Sequence, residues 1–328
     1  MRISPEKLTN DAASTGFRAD VLEKVARLTG LLSAIREHPH LKGRLVLKGG
    51  TALNLFVFDV PRLSVDIDLN YIGATEKGDM EADRLRVEEA LQAVFSREDF
   101  TIRRMPAEEH AGGKWSLNYV NAYGGPGSLE VDLNYMLRTP LWPTQVMDSR
   151  PVGSWVARGI SVLDIHELAA GKLAALLSRK RARDLFDACQ IFGMSGLDLV
   201  RLRLGFVVYG AMNRRDWREV SAEDVDFDPK ELANQLVPTL RNRQPGRANK
   251  PAEIGVRLLE DCRKGLSWLL PFTDGERTFL DRILDKGRIE PEHLTNDPEM
   301  VRIILNHPSL KWKALNVRKH RGLSGSES

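Results

Sequence analysis

Between Leu45 and Tyr71 the chain reads LVLKGGTALNLFVFDVPRLSVDIDLNY, and the order of its parts narrows what it can fold into. A short apolar run, Leu45 to Leu47, predicts a strand; Gly49 and Gly50 predict a turn; a helix is expected to open at Thr51. The run VDIDLNY then alternates, so Asp66, Asp68 and Asn70 share one strand face while Val65, Ile67, Leu69 and Tyr71 share the other. Neighbouring carboxylates repel, and a pair set beside a side-chain-free turn suits a divalent cation, magnesium first, which takes a few carboxylates together with phosphate oxygens. Glycine lets the backbone approach a phosphate, and the N-terminus of the following helix offers unpaired N–H groups. A bare D-x-D is more often the solvated face of an edge strand. The succession of strand, Gly-Gly turn, helix and acidic strand is what favours a site.

The same succession resembles the nucleotidyltransferase superfamily that includes DNA polymerase β, whose signature is a Gly-Gly or Gly-Ser turn followed by a D-x-D or D-x-E strand. More narrowly, KGGTALNL followed by RLSVDIDL resembles the AbiEii/AbiGii toxins and their MenT relatives. The small residue after Gly-Gly is Thr51, where the wider superfamily more often has Ser; the hydroxyl is kept. The resemblance implies a polymerase β-like α/β (α+β) core with a small mixed sheet.

The 328 residues suffice for two domains, and 42% hydrophobic content is ordinary for a folded chain. A net charge of +3, from 48 basic and 45 acidic residues, is too balanced to identify a nucleic-acid partner by itself. No apolar run approaches the roughly 20 residues that span a bilayer, and MRISPEKLTND lacks the apolar core of a signal peptide, so no membrane partner and a cytoplasmic location are expected. Cys189 and Cys262, far apart in predicted helices, read as buried free thiols.

Helical periodicity marks Arg18 to Arg36, and again Met80 to Ser96. The period then changes to two in Lys114 to Asn121 and Ser128 to Met136, a hairpin expected to turn at Tyr123 to Gly127. On its second strand Glu130, Asp132 and Asn134 share a face. If that strand pairs near VDIDLNY, Asp132 joins Asp66 and Asp68 as a third metal carboxylate, the number a two-metal phosphoryl-transfer site wants; otherwise it belongs to a surface strand. The superfamily resemblance favours the catalytic role.

Asp164 and Glu167 are spaced as a capping box before IHELAAGKLAALLSR. His166-Glu167 lacks the second His of a zinc-protease helix. Lys172 lies among small and apolar residues with Gly171 beside it, which suits a nucleotide phosphate. In RKRARDLFDACQIF, Asp184 and Asp187 stand one turn apart beside Arg179, Lys180, Arg181 and Arg183, which taken alone is a surface salt-bridge cluster. The AbiEii-like family has a matching block, K-L-x-A-L then R-x-x-R-D-L-x-D. That resemblance implies nucleotide contact for Lys172 and a positioning or acid–base role for Asp184.

Beyond Gly193 helical segments are predicted at 197–212, 229–240, 252–269, 274–284 and 298–305, with QPGRANKP (244–251) as a linker and the last residues disordered. Basic residues gather at Arg241, Arg243, Arg247 and Lys250, and at Lys311, Lys313, Arg318, Lys319, His320 and Arg321 around Trp312, a pattern found both on RNA-binding surfaces and on solvated helices.

The expected organisation is a nucleotidyltransferase core over residues 1–192 and an all-helical domain over 193–328, its tail 322–328 disordered. The expected chemistry puts Gly49, Gly50, Thr51, Arg62, Ser64 and Lys172 on the nucleoside triphosphate. Asp66, Asp68 and Asp132 hold magnesium, with manganese as a substitute, and Lys172 and Asp184 complete the catalytic set. The resemblance further implies a toxin of a toxin–antitoxin pair with a cognate antitoxin, moving a nucleotide to an RNA acceptor. For its MenT relatives the acceptor is the 3′ end of tRNA, which blocks translation. The alternatives are a metal-dependent nuclease using the same acids and a non-catalytic nucleotide sensor.

Overall fold

The computed structural model describes residues 3–106, 111–241 and 250–323. Contacts group them into two compact units, residues 3–165 with 233–241, and residues 166–232 with 250–323. The sequence division after residue 192 follows the motifs; by contacts, the helices that carry Lys172 and Asp184 group with the helical sequence that follows them.

The first unit is built on seven strands: β1 Leu45–Lys48, β2 Asp66–Tyr71, β3 Thr101–Arg104, β4 Gly112–Val120, β5 Pro126–Asn134, β6 Gln145–Met147 and β7 Ile160–Val162. They form one mixed sheet in the order β3-β4-β5-β2-β1-β7-β6. β2 runs antiparallel to β1 and parallel to β5, and β1 runs parallel to β7. One face carries Ile67, Leu69, Tyr71, Trp115, Leu117, Val131 and Leu133, all buried. Each such residue contributes roughly 1.5–3 kcal/mol of burial.

Helices α1 (Pro5–Thr15), α2 (Ala19–Glu37) and α4 (Lys77–Arg97) belong to this unit. α1 starts at an N-cap Ser4 with proline next to it and stops at Gly16 in the left-handed conformation. α4 holds two strand ends by their tyrosines: Tyr71 donates to Asp83 at 2.7 Å and Tyr135 to Glu88 at 3.4 Å, with the two rings 5.4 Å apart. The helix expected at Thr51 is a single turn, α3 (Gly49–Thr51), that widens into a π-helical segment, Ala52–Val57. Strands β3, β6 and β7 were not predicted, being too short to show a period of two.

The second unit holds α5 (Ile165–Arg179, from His166), α6 (Ala182–Phe192), α7 (Leu199–Ala211), α8 (Pro229–Glu231), α9 (Pro251–Leu266), α10 (Asp274–Lys286), α11 (Pro298–Asn306) and α12 (Pro308–His320). The helix predicted over 229–240 breaks after α8 into a π-helical turn and a 3-10 turn. Pro238 removes a donor there, and the Thr239 carbonyl accepts from Leu63 N–H at 2.9 Å instead of continuing a helix. α12 was missed as an element, since its basic run masks its buried side, Leu310 and Ala314. α6 and α9 bring Cys189 and Cys262 together as free thiols; the neighbouring thiol and burial push the Cys189 pKa well up. His166 Nε2 accepts from Asp198 N–H at 3.0 Å and Glu167 from Tyr209 at 2.8 Å. Arg243, Arg247, the predicted linker up to residue 249 and the tail from residue 324 lie outside the described residues.

Candidate active site

The turn after β1 has a fixed residue type. Gly49 adopts φ +76°, and a Cβ there would fall on the Asp68 carboxylate. Only glycine fits both constraints. Asn54, unnoticed in the sequence, donates from Nδ2 to the Gly50 carbonyl at 2.9 Å and so braces the turn. Thr51 is buried, and its hydroxyl donates to the Asp66 carbonyl at 2.5 Å, tying the turn to the acidic strand.

On β2 the alternation is as the sequence predicts, and Asp66 and Asp68 are half-buried. The parallel pairing with β5 sets Asp132 directly opposite Asp68 and Glu130 opposite Asp66. On the outer sides, β1 sets Lys48 opposite Asp68 and β4 sets Lys114 opposite Asp132. One row of the sheet therefore reads Lys48, Asp68, Asp132, Lys114, two carboxylates between two cations. The hairpin pairing of KWSLNYVN with SLEVDLNY was the signal that could have revealed Lys114; Lys48 has no comparable signal.

Burial raises the Asp132 carboxyl above its usual range; Lys48 and Lys114 pull it down while Asp68 and Glu130 push it further up. Lys114 is raised by its hydrogen bond to Glu130, 2.8 Å away, with Asp66 and Asp132 adding to the effect. Arg62 and Ser64 are buried in the segment that enters β2, and Arg62 donates to the Leu63 carbonyl at 2.9 Å.

Among the described residues no group of three or more His, Cys, Asp or Glu converges as a ready-made metal cage. The donor set still fits a magnesium-type ion, because such an ion is held by one or two carboxylates and completes its shell with substrate phosphates and water. Asp68 and Asp132, opposite each other in the sheet, would be that pair, with Asp66 one step along the same face.

Lys172 and Asp184, on α5 and α6 of the second unit, meet each other. Lys172 is buried and its Nζ lies 2.9 Å from Asp184 and 3.0 Å from Asp187. Arg179 adds a two-pronged contact to Asp184, at 2.6 and 3.1 Å. A Cβ added at Gly171 would meet the Tyr209 ring at van der Waals distance. Burial pushes the Asp184 carboxyl up, but Lys172 and Arg179 outweigh it and hold it below the usual range. A carboxyl lower in the folded than in the unfolded chain stabilises fully above the unfolded value, about 3.9, and loses that contribution as pH falls. Asp184→Asn is accordingly expected to flatten the acid limb of the unfolding free energy between about pH 5 and 2, as urea titrations at stepped pH would record.

The family described as nucleotidyl transferase AbiEii toxin, type IV toxin–antitoxin system, matches residues 30–252. Among solved structures the chain is similar to MenT4, a nucleotidyltransferase toxin of Mycobacterium tuberculosis H37Rv. The identity is 17% and the TM-score 0.63, over 94% of this chain and 99% of that one. At that identity the likeness establishes the fold. No curated protein matches the chain.

Proposed function

The chain belongs to the AbiEii nucleotidyltransferase toxin family of type IV toxin–antitoxin systems, and from that premise we propose that it moves a nucleoside monophosphate from a triphosphate to an RNA hydroxyl, with the 3′ end of tRNA as acceptor and arrest of translation as the outcome. The observation that carries this reading is the register of Asp68 against Asp132, beside a turn that must be glycine.

In the proposed reaction the acceptor hydroxyl oxygen attacks the α-phosphorus, its proton passes to a carboxylate, and pyrophosphate leaves in line. Asp132, opposite Asp68 on β5, is the carboxylate placed to take that proton. The Gly49 and Gly50 backbone lies against the triphosphate, and Lys48 supplies a cation at the same strand end. Asp66, Asp68 and Asp132 would hold magnesium, or manganese in its place, which supplies charge neutralisation on the phosphates. Arg62 and Ser64 shape the segment leading into β2. Lys172, shared by two carboxylates, positions Asp184.

For the RNA, α12 offers a surface. Lys311, Trp312, Leu315 and Lys319 form an exposed stripe at helical spacing, and residues 308–323 include no acid. An exposed indole between cations suits a stacked base and its phosphates. Trp312→Ala with Lys311→Glu and Lys319→Glu is expected to weaken RNA binding by at least about tenfold and to lower its salt dependence, leaving the KM for triphosphate as it was. Filter binding across salt concentrations reads this.

Among the described residues no helix is long and apolar enough to cross a membrane, and the proposal places the enzyme in the cytoplasm, where its RNA acceptor and antitoxin are. The decisive test is label transfer: purified protein, magnesium, total tRNA and each α-labelled triphosphate in a separate tube. Label on tRNA establishes the reaction and identifies the nucleotide. Shortened, unlabelled RNA would replace it with a nuclease. Intact, unlabelled RNA would remove tRNA as acceptor.

A further inference from the structure

The proposed reaction uses Lys48, Asp68 and Asp132 and leaves Lys114, the fourth member of their row, without a task. Lys114 stands opposite Asp132 on β4, one strand spacing away, about 4.8 Å, and on the same face of the sheet. That face opens toward the sheet edge. Asp68 and Asp132 are half-buried and Lys114 is exposed; next on its face come Ser116, half-buried, and Asn118, exposed. On the edge strand β3 the register sets Arg104, also exposed, opposite Ser116. Going outward from Asp132, the acidic face therefore turns basic, first at Lys114 and then at Arg104.

In-line displacement gives the two ends of this row different partners. The triphosphate lies on the β1 side, against Gly49 and Gly50, and its pyrophosphate leaves on that side. The attacking hydroxyl then has to approach the α-phosphorus from the opposite side, where Asp132 receives its proton, and beyond Asp132 lies β4. An RNA whose terminal hydroxyl reaches Asp132 from the sheet edge carries its phosphates over Lys114 and Arg104. Glu130 holds the Lys114 ammonium at 2.8 Å. An ammonium has three N–H donors, so one carboxylate aims it without exhausting it. Both members of that pair are about half exposed, 49% and 44%, and such pairs add little to stability, so the fold does not itself call for lysine there.

We infer that the acceptor RNA enters over β3 and β4, with Lys114 on the phosphate next to the reacting hydroxyl and Arg104 on a phosphate farther from it. The inference rests on reading this face as the transfer site. It assigns the residues that bind the acceptor, a task the carboxylates cannot perform because they repel a phosphodiester chain.

The test is Lys114→Met and Arg104→Met, singly and together, in the full chain. Filter binding across salt concentrations is read for intact tRNA and for tRNA trimmed of its single-stranded 3′ end, and label transfer gives the KM for tRNA and for the triphosphate. Each single change is expected to weaken binding of intact tRNA by about three- to tenfold and to flatten its salt slope by about 0.7, the double change by about twice that slope. Trimmed tRNA is expected to bind as before. The KM for tRNA rises with the loss of binding, and the KM for triphosphate stays where it was. Lys114→Arg, which keeps the cation and its donors, is expected to retain binding of intact tRNA to within about twofold. Should a methionine variant not fold, glutamine at the same position carries the same readouts. Equal weakening of intact and trimmed tRNA overturns the inference, because the cations then act only as general surface charge. So does a raised KM for triphosphate with unchanged tRNA binding, which puts Lys114 on the triphosphate instead. Binding needs no turnover, which separates this inference from the reaction: a protein that transfers nothing, yet loses intact but not trimmed tRNA on these changes, ends the transferase proposal and keeps the RNA path. An unchanged protein that binds no tRNA overturns the path itself.

Discussion

Asp68→Asn is expected to remove nucleotide transfer by at least about 10²–10³-fold while leaving the protein folded. Asp68 stands at the centre of the charged row, with Lys48 on one side, Asp132 on the other and the Gly49 backbone against its carboxylate. The amide keeps the shape that fits beside Gly49, so packing is preserved. It removes one negative charge from a pair that repels in the absence of a cation, so the change in unfolding free energy should stay within about 1 kcal/mol. The loss therefore has to come from the chemistry: a site with one carboxylate fewer holds a divalent ion and its triphosphate poorly. Label transfer and urea unfolding on the same preparation check both halves. Transfer at the original rate in a folded Asp68→Asn protein would exclude this face of the sheet as the reaction centre.

Lys172→Met should act the other way, on the fold before the chemistry. The Nζ of Lys172 is the cation shared by two carboxylates that are themselves buried, Asp184 and Asp187. Removing one partner of a buried ion pair leaves charge that neither water nor protein neutralises, and such changes cost about 3–5 kcal/mol. Arg179 still reaches Asp184, but Asp187 loses the bond at 3.0 Å. The urea midpoint of the second unit is expected to fall accordingly, and adding Asp187→Asn to Lys172→Met should recover much of the loss by removing a buried carboxylate charge that has lost its ammonium at 3.0 Å. The opposite pattern, unchanged stability with a raised KM for triphosphate, would return Lys172 to the direct phosphate contact that the family resemblance implies.

The two predictions divide along the line between what was legible in the sequence and what was not. Asp66 and Asp68 were legible because alternation is a local property of a strand, and Gly49 because a glycine pair after an apolar run has few other uses. The helices α2, α4 and α5 were legible from the spacing of their apolar residues. The break after α8 was not, since it depends on Leu63 taking the Thr239 carbonyl from more than a hundred residues away in the chain. Nor were β3, β6 and β7, which are three or four residues long and exist because a neighbour pairs with them.

By itself the sequence determined the Gly-Gly turn, the acidic face of β2, the switch from strand to helical periodicity and, through its wording, the family. All of these depend on residues within a turn or a strand length of each other. The tertiary structure alone decided that Asp132 lies opposite Asp68, that Lys48 and Lys114 flank them, and that Lys172 is shared by Asp184 and Asp187. Those facts follow from strand order and helix packing, which are set by burial of apolar surface contributed from distant parts of the chain, and no local pattern of residues encodes which distant partner will supply it.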